Sequence, residues 1–249
     1  MDAQPVTAHP RVYVFQHVAC EDLGTFAEVL AARRFAVDYV RLFAGDLVPD
    51  DWRNAAALIF LGGPMSVNDE ARYPYLAAEK TVIRSALARQ TPTLGVCLGA
   101  QLIASAAGSR VFPGVRPEVG WATVSLTMEG RQDPLLAPLA DLAAVFHWHG
   151  ETFDLPQGGV RLAFSALTMN QAFRLGQAAY GLQFHLEVNA AMINAWIEAY
   201  PSDLGADADA VLRRINTDTA THGAPLRTAA LRAMHCFLDV VARARESCS

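Results

Sequence analysis

The 249-residue chain has no run of Lys and Arg, only four cysteines, and no uninterrupted apolar stretch of bilayer length. Each lack removes a class of function. Without a basic cluster, and with a net charge of −5, the electrostatic footprint of a nucleic-acid binder is missing. The most apolar windows, "AAALIFLGG" and "TLGVCLGAQLIASAAG", are too short or too interrupted by Gly and Gln to span a membrane. "MDAQPVTAHPRVYVFQHVAC" has neither a basic leader nor a long apolar core, so no secretory signal is expected. Cys20, Cys97, Cys236 and Cys248 show no CxxC spacing, which disfavours a zinc ribbon or disulfide scaffold and favours a reducing, cytoplasmic setting.

What is present is apolar. Hydrophobic residues make up 52% of the chain and charged ones only 18%, enough for a sizeable core. "RVYVFQH", "AVDYVRLF", "AALIFLGGP" and "TPTLGVC" read as strands, several of them apolar on both faces. Between and after them, "GTFAEVLAARRF", "YPYLAAEKTVIRSALARQ" and "LGAQLIASAAG" have helical spacing. Strands without alternation, separated by helices, predict an α/β fold with a mostly parallel sheet covered on both faces. From 111 to 188 the texture turns to strands joined by Gly, Pro and Asn, without comparable helices. "EVGW" (118–121) and "WATVSLTM" begin that strand-rich part, and a strand is expected to run through "AAYGLQFHLEV". Residues 201–249 return to helix, with Leu226, Ala230, Met234, Phe237 and Val241 on one face from Pro225 onward. The division expected is 1–200 as one domain and 201–249 as a helical extension packed on it.

The chemistry concentrates at Cys97. A buried strand ending in Gly-x-Cys-x-Gly and turning at once into a helix has the layout of a nucleophile elbow. The turn lifts the side chain out of the sheet, and the helix points its free amides and positive end at the sulfur. A core cysteine is the simpler reading of any lone Cys, but Gly95, Gly99 and the strand-to-helix switch count against it. In "GLQFHLEV", His185 and Glu187 are two apart and so project to one strand face, where the carboxylate can orient the imidazole. In "LGGPMSV", Gly62 and Gly63 leave a bare backbone for close approach of a ligand.

Together, "LGGP", "GVCLGAQ" and "FHLE" resemble the class I glutamine amidotransferases of the Cys-His-Glu triad type, over roughly residues 11–195. The nearer likeness is to stand-alone proteins similar to the amidotransferase half of GMP synthase. The resemblance implies that Cys97 is the nucleophile, His185 the base and Glu187 its orienting carboxylate. It also implies oxyanion donors at Gly63 and Leu98, and substrate contacts from Gly62, Gln101, His149 and Gly150. The reaction expected is hydrolysis of a γ-glutamyl amide through a thioester on Cys97, with no cofactor and no metal. The substrate is then glutamine or, as in some stand-alone relatives, a γ-glutamyl peptide. About fifty residues follow the triad, too few for an ATP-using domain, so any acceptor chemistry is expected from a separate synthetase subunit. The amphipathic C-terminal helix leaves room for that interface or for a homodimer.

Two rival readings carry less of this pattern. His147 and His149 in "FHWHGETFDLP" could join His185 and Glu187 around zinc or iron. However, the pair is expected to end at a Gly turn, and His185 cannot serve both a metal and Cys97. The fold could also act as a binding or redox-sensing subunit with Cys97 as an exposed thiol. Trp148, Glu151 and Glu118 are expected near the pocket. Cys20, Cys236 and Cys248 are read as structural or incidental.

Overall fold

A computed structural model of the chain describes residues 9–246. Its centre is an eight-stranded mixed sheet. The strands in chain order are β1 (Arg11–Gln16), β2 (Ala36–Arg41), β3 (Ala57–Phe60) and β4 (Thr93–Val96), then β6 (Ser125–Leu126), β8 (Gly159–Phe164), β9 (Ala172–Leu175) and β10 (Ala179–Leu182). They lie side by side as β2-β1-β3-β4-β10-β9-β8-β6. The first five in that order pair in parallel, and the rest are antiparallel. A separate antiparallel ribbon joins β5 (Val111–Ala122) to β7 (Val145–Phe153).

The apolar runs explain the parallel part. β3, β4 and β10 are buried at every position, because helices cover both faces. Alternation then sorts the side chains between two cores. Val12 and Val14 face α1 (Phe26–Ala32), α5 (Ala190–Ala199) and α6 (Ala208–Glu246), whereas Tyr13 and Phe15 face α2 (Tyr75–Ala88) and α3 (Leu98–Ala106). Because β2 and β3 leave β1 on opposite sides, the order reverses at β1, and loops from the C-terminal ends of β1, β3 and β4 converge there. Open α/β sheets bind ligands at that crevice.

Four local expectations need correction. β5 begins at Val111 rather than near 118, and Met128–Gln132 forms a short helix, α4, capped by the Thr127 hydroxyl on Gly130 N. β7 runs straight through Gly150 to Phe153, so the His147/His149 pair sits mid-strand and not at a turn. The antiparallel partner β5 supplies the pairing that keeps it extended. The strand expected through residue 188 ends at Leu182. The segment 201–249, expected to be helical, is so from Ala208 to Glu246 in α6, which passes through Pro225. Burial of Ile215, together with Trp121 Nε1 donating to Thr219 Oγ1 at 2.9 Å, anchors the upstream part against β5. Downstream, Leu226, Ala230, Met234, Phe237 and Val241 are buried, on the face expected from their spacing. Cys20 and Cys236 are half-buried free thiols, and Cys248 lies outside the described residues.

No described helix is long and apolar enough to cross a membrane.

Candidate active site

Cys97 stands between β4 and α3 with φ 51° and ψ −107°, a region a non-glycine residue occupies only when its surroundings impose it. They do so from both sides. Cys97 N donates to Leu182 O at 2.7 Å, tying the elbow to the end of β10, and Cys97 O accepts the first bond of α3 from Gln101 N at 3.1 Å. The amides of Leu98, Gly99 and Ala100 precede that bond and have no acceptor within the helix. The glycines beside the thiol permit a very close fit of α3 on the sheet. A Cβ on Gly99 would lie 2.0 Å from Phe60 O, and one on Gly95 would lie 2.4 Å from the backbone of Gly99.

His185 reaches the thiol from a different element. Beyond β10 the chain crosses to the ribbon, where His185 N donates to Phe146 O at 2.8 Å in an isolated bridge. Its Nδ1 is 2.6 Å from Glu187 Oε1, and the edge of Trp196 packs on the ring. Burial alone would push the imidazole toward neutrality. The Glu187 carboxylate and the Cys97 sulfur overcome it and hold His185 well above the usual histidine range. The sulfur also contacts Trp148 O at 3.6 Å, and Gln183 Nε2 donates to it at 3.7 Å.

Gly62 and Gly63 follow β3 as expected. A Cβ on Gly62 would meet Glu21 Oε2 at 2.1 Å, and one on Gly63 would meet Met65 Sδ at 2.7 Å. The loop is pinned by a fully buried pair that its own motif does not announce. His17 Nδ1 is 3.0 Å from Gly62 O, and its Nε2 is 3.0 Å from Glu79 Oε1 on α2. A carbonyl only accepts, so Nδ1 carries a proton there. Burial disfavours the charged ring, but Glu79 outweighs it and raises His17 above the ordinary value.

The cleft beside Cys97 measures about 570 Å³, and Gly63, Gln101, His149, Gly150 and His185 all line it. Gln101 is engaged within the protein, its Nε2 donating to Glu151 O at 3.2 Å and Gln183 Oε1 at 3.1 Å. It therefore links the cleft wall to the amide that holds the sulfur. His149 likewise turns Nδ1 to Glu151 O at 3.1 Å and Nε2 toward Glu118 at 3.3 Å. Trp148 Nε1 donates to Asp203, and Glu151 accepts from Ser66 Oγ. Glu118 lies under the ribbon against His149, held by Thr168, Ser165 and Gln171. The histidine pair does not join His185 and Glu187 as one ligand set, since those two are committed to each other.

Glu21 is a further site residue that the sequence pattern does not single out. It is buried in the cleft wall, where desolvation foremost, aided by Glu187 and opposed by His185, pushes its carboxyl up to about 7. "VACEDLGT" reads as an ordinary polar loop. The one available signal is its position, just past the first strand of a doubly wound sheet.

The model of the class I glutamine amidotransferase family matches residues 25–195. With the fold and the elbow, this settles the class: the chain belongs to the class I glutamine amidotransferases. A solved glutamine amidotransferase from Thermotoga maritima is 33% identical, with a TM-score of 0.77 over 91% of this chain and 98% of that one. One from Methylobacillus flagellatus is 30% identical, with a TM-score of 0.82 over 94% and 96%. The glutamine amidotransferase-like protein YfeJ of Salmonella typhimurium is 29% identical over 80% of this chain and 84% of its own length. The glutamine-hydrolysing GMP synthase of Porphyromonas gingivalis is 32% identical over 67% of this chain, which covers only 32% of that enzyme.

Proposed function

We propose that the chain hydrolyses the side-chain amide of glutamine, or of a γ-glutamyl compound, through a thioester on Cys97. The observation that carries this reading is a cysteine forced into a strained elbow beside an imidazole that Glu187 holds at 2.6 Å. The sulfur attacks the γ-carbonyl carbon, and its electron pair displaces the carbonyl pair onto oxygen. The amides of Gly63 and Leu98 receive that oxyanion. His185 gives its proton to the nitrogen as the C–N bond breaks, releasing ammonia or an amine. It then takes a proton from water, whose oxygen attacks the thioester and frees glutamate and Cys97. Gln183 and Gln101 steady the sulfur and the cleft wall, and Gly62, His149 and Gly150 border the substrate. No step needs a cofactor.

A γ-glutamyl amide with a cationic tail is the second reading, favoured by the lining of the cleft. Asp69, Glu151 and Asp203 all border it, beside Glu21 whose raised carboxyl is only partly ionised near neutrality, and none of the described lining residues is Lys or Arg. Such a lining attracts an ammonium and repels a carboxylate. We assign residues 1–200 to the amidotransferase-like domain, 201–249 to the helical extension, and the cytoplasm as the setting. A separate synthetase would take the ammonia, since the GMP synthases similar to this chain are about three times the matched length.

The test is release of glutamate by the purified chain from glutamine, from γ-glutamyl amides with cationic tails and from anionic γ-glutamyl peptides, beside a Cys97→Ala control. Turnover that disappears in the control is expected, with cationic tails preferred. Full activity in Cys97→Ala would sink the reading. A glutamine-like electrophile should also label Cys97 in the native chain.

A further inference from the structure

The β5–β7 ribbon holds a second cluster, of which only His149 borders the cleft used by the proposed hydrolysis. His147 and His149 are two apart on β7, so their rings share a face, 5.8 Å between centroids. The antiparallel register places Glu118 opposite His149 on β5. One donor atom from each of the three lies within 4.8 Å of the others, and all three side chains are buried.

The polar accounting of this cluster does not close. His147 is fully buried; one ring nitrogen faces the Ala122 backbone, and neither makes a hydrogen bond of good geometry. Buried polar atoms in folded proteins are almost always partnered. His149 spends Nδ1 as a donor to Glu151 O and turns Nε2 toward Glu118 Oε2, a long contact of 3.3 Å that, against burial, helps hold the Glu118 carboxyl below its ordinary value. A neutral ring there would set a lone pair against a carboxylate oxygen. A proton on Nε2 would relieve that contact but would leave His147 as it is. One divalent cation satisfies all three residues at once.

The surroundings have the form of a metal site's outer shell. Glu118 is oriented by Thr168 Oγ1 at 2.6 Å, Gln171 Nε2 at 2.9 Å and Ser165 Oγ at 3.0 Å. The Nδ1 bond of His149 to a backbone carbonyl fixes its tautomer with Nε2 free to ligate, as in many histidine–metal centres. Gln171 has a second orphan, its Oε1.

We propose that Glu118, His147 and His149 bind one divalent transition-metal ion, with zinc as the first candidate, at a site separate from the Cys97–His185–Glu187 triad. Two imidazoles and a carboxylate suit zinc. The ion would clamp β5 to β7 behind the strand whose Trp148 carbonyl touches the Cys97 sulfur. This reverses the expectation of no metal, and it corrects the ligand set weighed from sequence: the partner of the histidine pair is Glu118, not His185 and Glu187.

The experiment uses full-length, tag-free protein carrying Cys97→Ser, so that the elbow thiol cannot bind the probe. The protein is stripped with chelator, then titrated with Zn²⁺ and, separately, with Co²⁺. The expected result is one equivalent of zinc retained through gel filtration. Cobalt should give visible absorption of a four-coordinate site without a thiolate charge-transfer band. His147→Ala and Glu118→Gln, checked for folding by circular dichroism, should each weaken binding by about 100-fold. If neither variant folds, the stoichiometry and the cobalt spectrum of the parent protein decide. No retained metal, a thiolate band, or unchanged affinity in the folded variants would overturn the proposal. In that event the contact of His149 with Glu118 is an ion pair.

Discussion

Cys97 and His185 belong to one proposed reaction, yet the molecule positions them by opposite means. Cys97 is placed by its backbone. A four-residue buried strand, a positive φ and a helix seated on glycine set its direction, and backbone contacts with Leu182 and Phe60 lock it. His185 is placed from afar. It lies past the end of β10, bonded to Phe146 on the ribbon, packed on Trp196 of α5 and held by Glu187. The thiol thus depends on backbone conformation and backbone contacts, and the imidazole on side-chain contacts. Damage to the two should look different.

The largest expected effects come from the elbow. Gly99→Ala would set a methyl 2.0 Å from Phe60 O, a backbone atom that cannot swing aside. We expect a loss of about 3 kcal/mol or more, read as a lowered midpoint in urea. Cys97→Ser keeps the backbone and should fold normally, with glutamate release falling by about 10³-fold or more. A Gly99→Ala protein as stable as the parent would break the claim that backbone contact sets the nucleophile.

On the other side of the comparison, Glu187→Gln should leave the fold intact and cut kcat by about 10²- to 10⁴-fold. It should also move the pH profile. Glu187 raises the His185 pKa, so its removal lowers that value, and the alkaline limb of activity shifts to lower pH. Unchanged limbs with reduced kcat would mean that Glu187 only orients the ring.

The loop that offers Gly63 rests on the His17–Glu79 pair. Glu79→Ala would leave a buried imidazolium uncompensated, at a cost of about 3 kcal/mol. His17 has a raised value in the folded state. Its contribution is therefore complete below the unfolded pKa of about 6.5 and disappears as pH rises through the folded value. Denaturation of His17→Gln and the parent should therefore converge at alkaline pH, and a gap independent of pH would contradict the pairing.

These contrasts track what could be read from sequence. The parallel sheet, the elbow and the Gly62–Gly63 turn were legible because each is written in neighbouring residues: apolar runs, glycine spacing, a strand-to-helix switch. The His185–Glu187 contact was legible only in part. Alternation put the two on one side, but the strand ends at Leu182, and the bridge to Phe146 does the placing. Gln183, the His17–Glu79 pair and the alliance of Glu118 with the ribbon histidines were not legible. Each joins segments 29 to 86 residues apart through side chains that look ordinary where they stand. The helical character of 201–249 was legible, but not that one helix passes through Pro225, since a proline usually marks a boundary. Here packing of Ile215 and Thr219 on β5 carries the helix past it.

Glu21 offers the finest test, because it touches both sides of the comparison. Its carboxylate lies against the Gly62 backbone and within the fields of His185 and Glu187. In the folded chain it titrates at about 7 against an ordinary 4.5. Between those values the unfolded chain releases a proton that the folded chain keeps, so stability from this group falls as pH rises from 4.5 to 7. The difference amounts to about 3 kcal/mol at full development. Glu21→Gln should abolish that decline, and the variant should gain on the parent as pH rises, measured by thermal midpoint at pH 5 and pH 8. If His185 is tuned by the whole cluster of buried carboxylates, the same variant also lowers its pKa slightly and moves the alkaline limb of activity in the Glu187→Gln direction, by a smaller step. If the limb stays fixed while the stability slope flattens, the base is tuned by Glu187 alone, and Glu21 belongs with the cleft wall that receives the substrate.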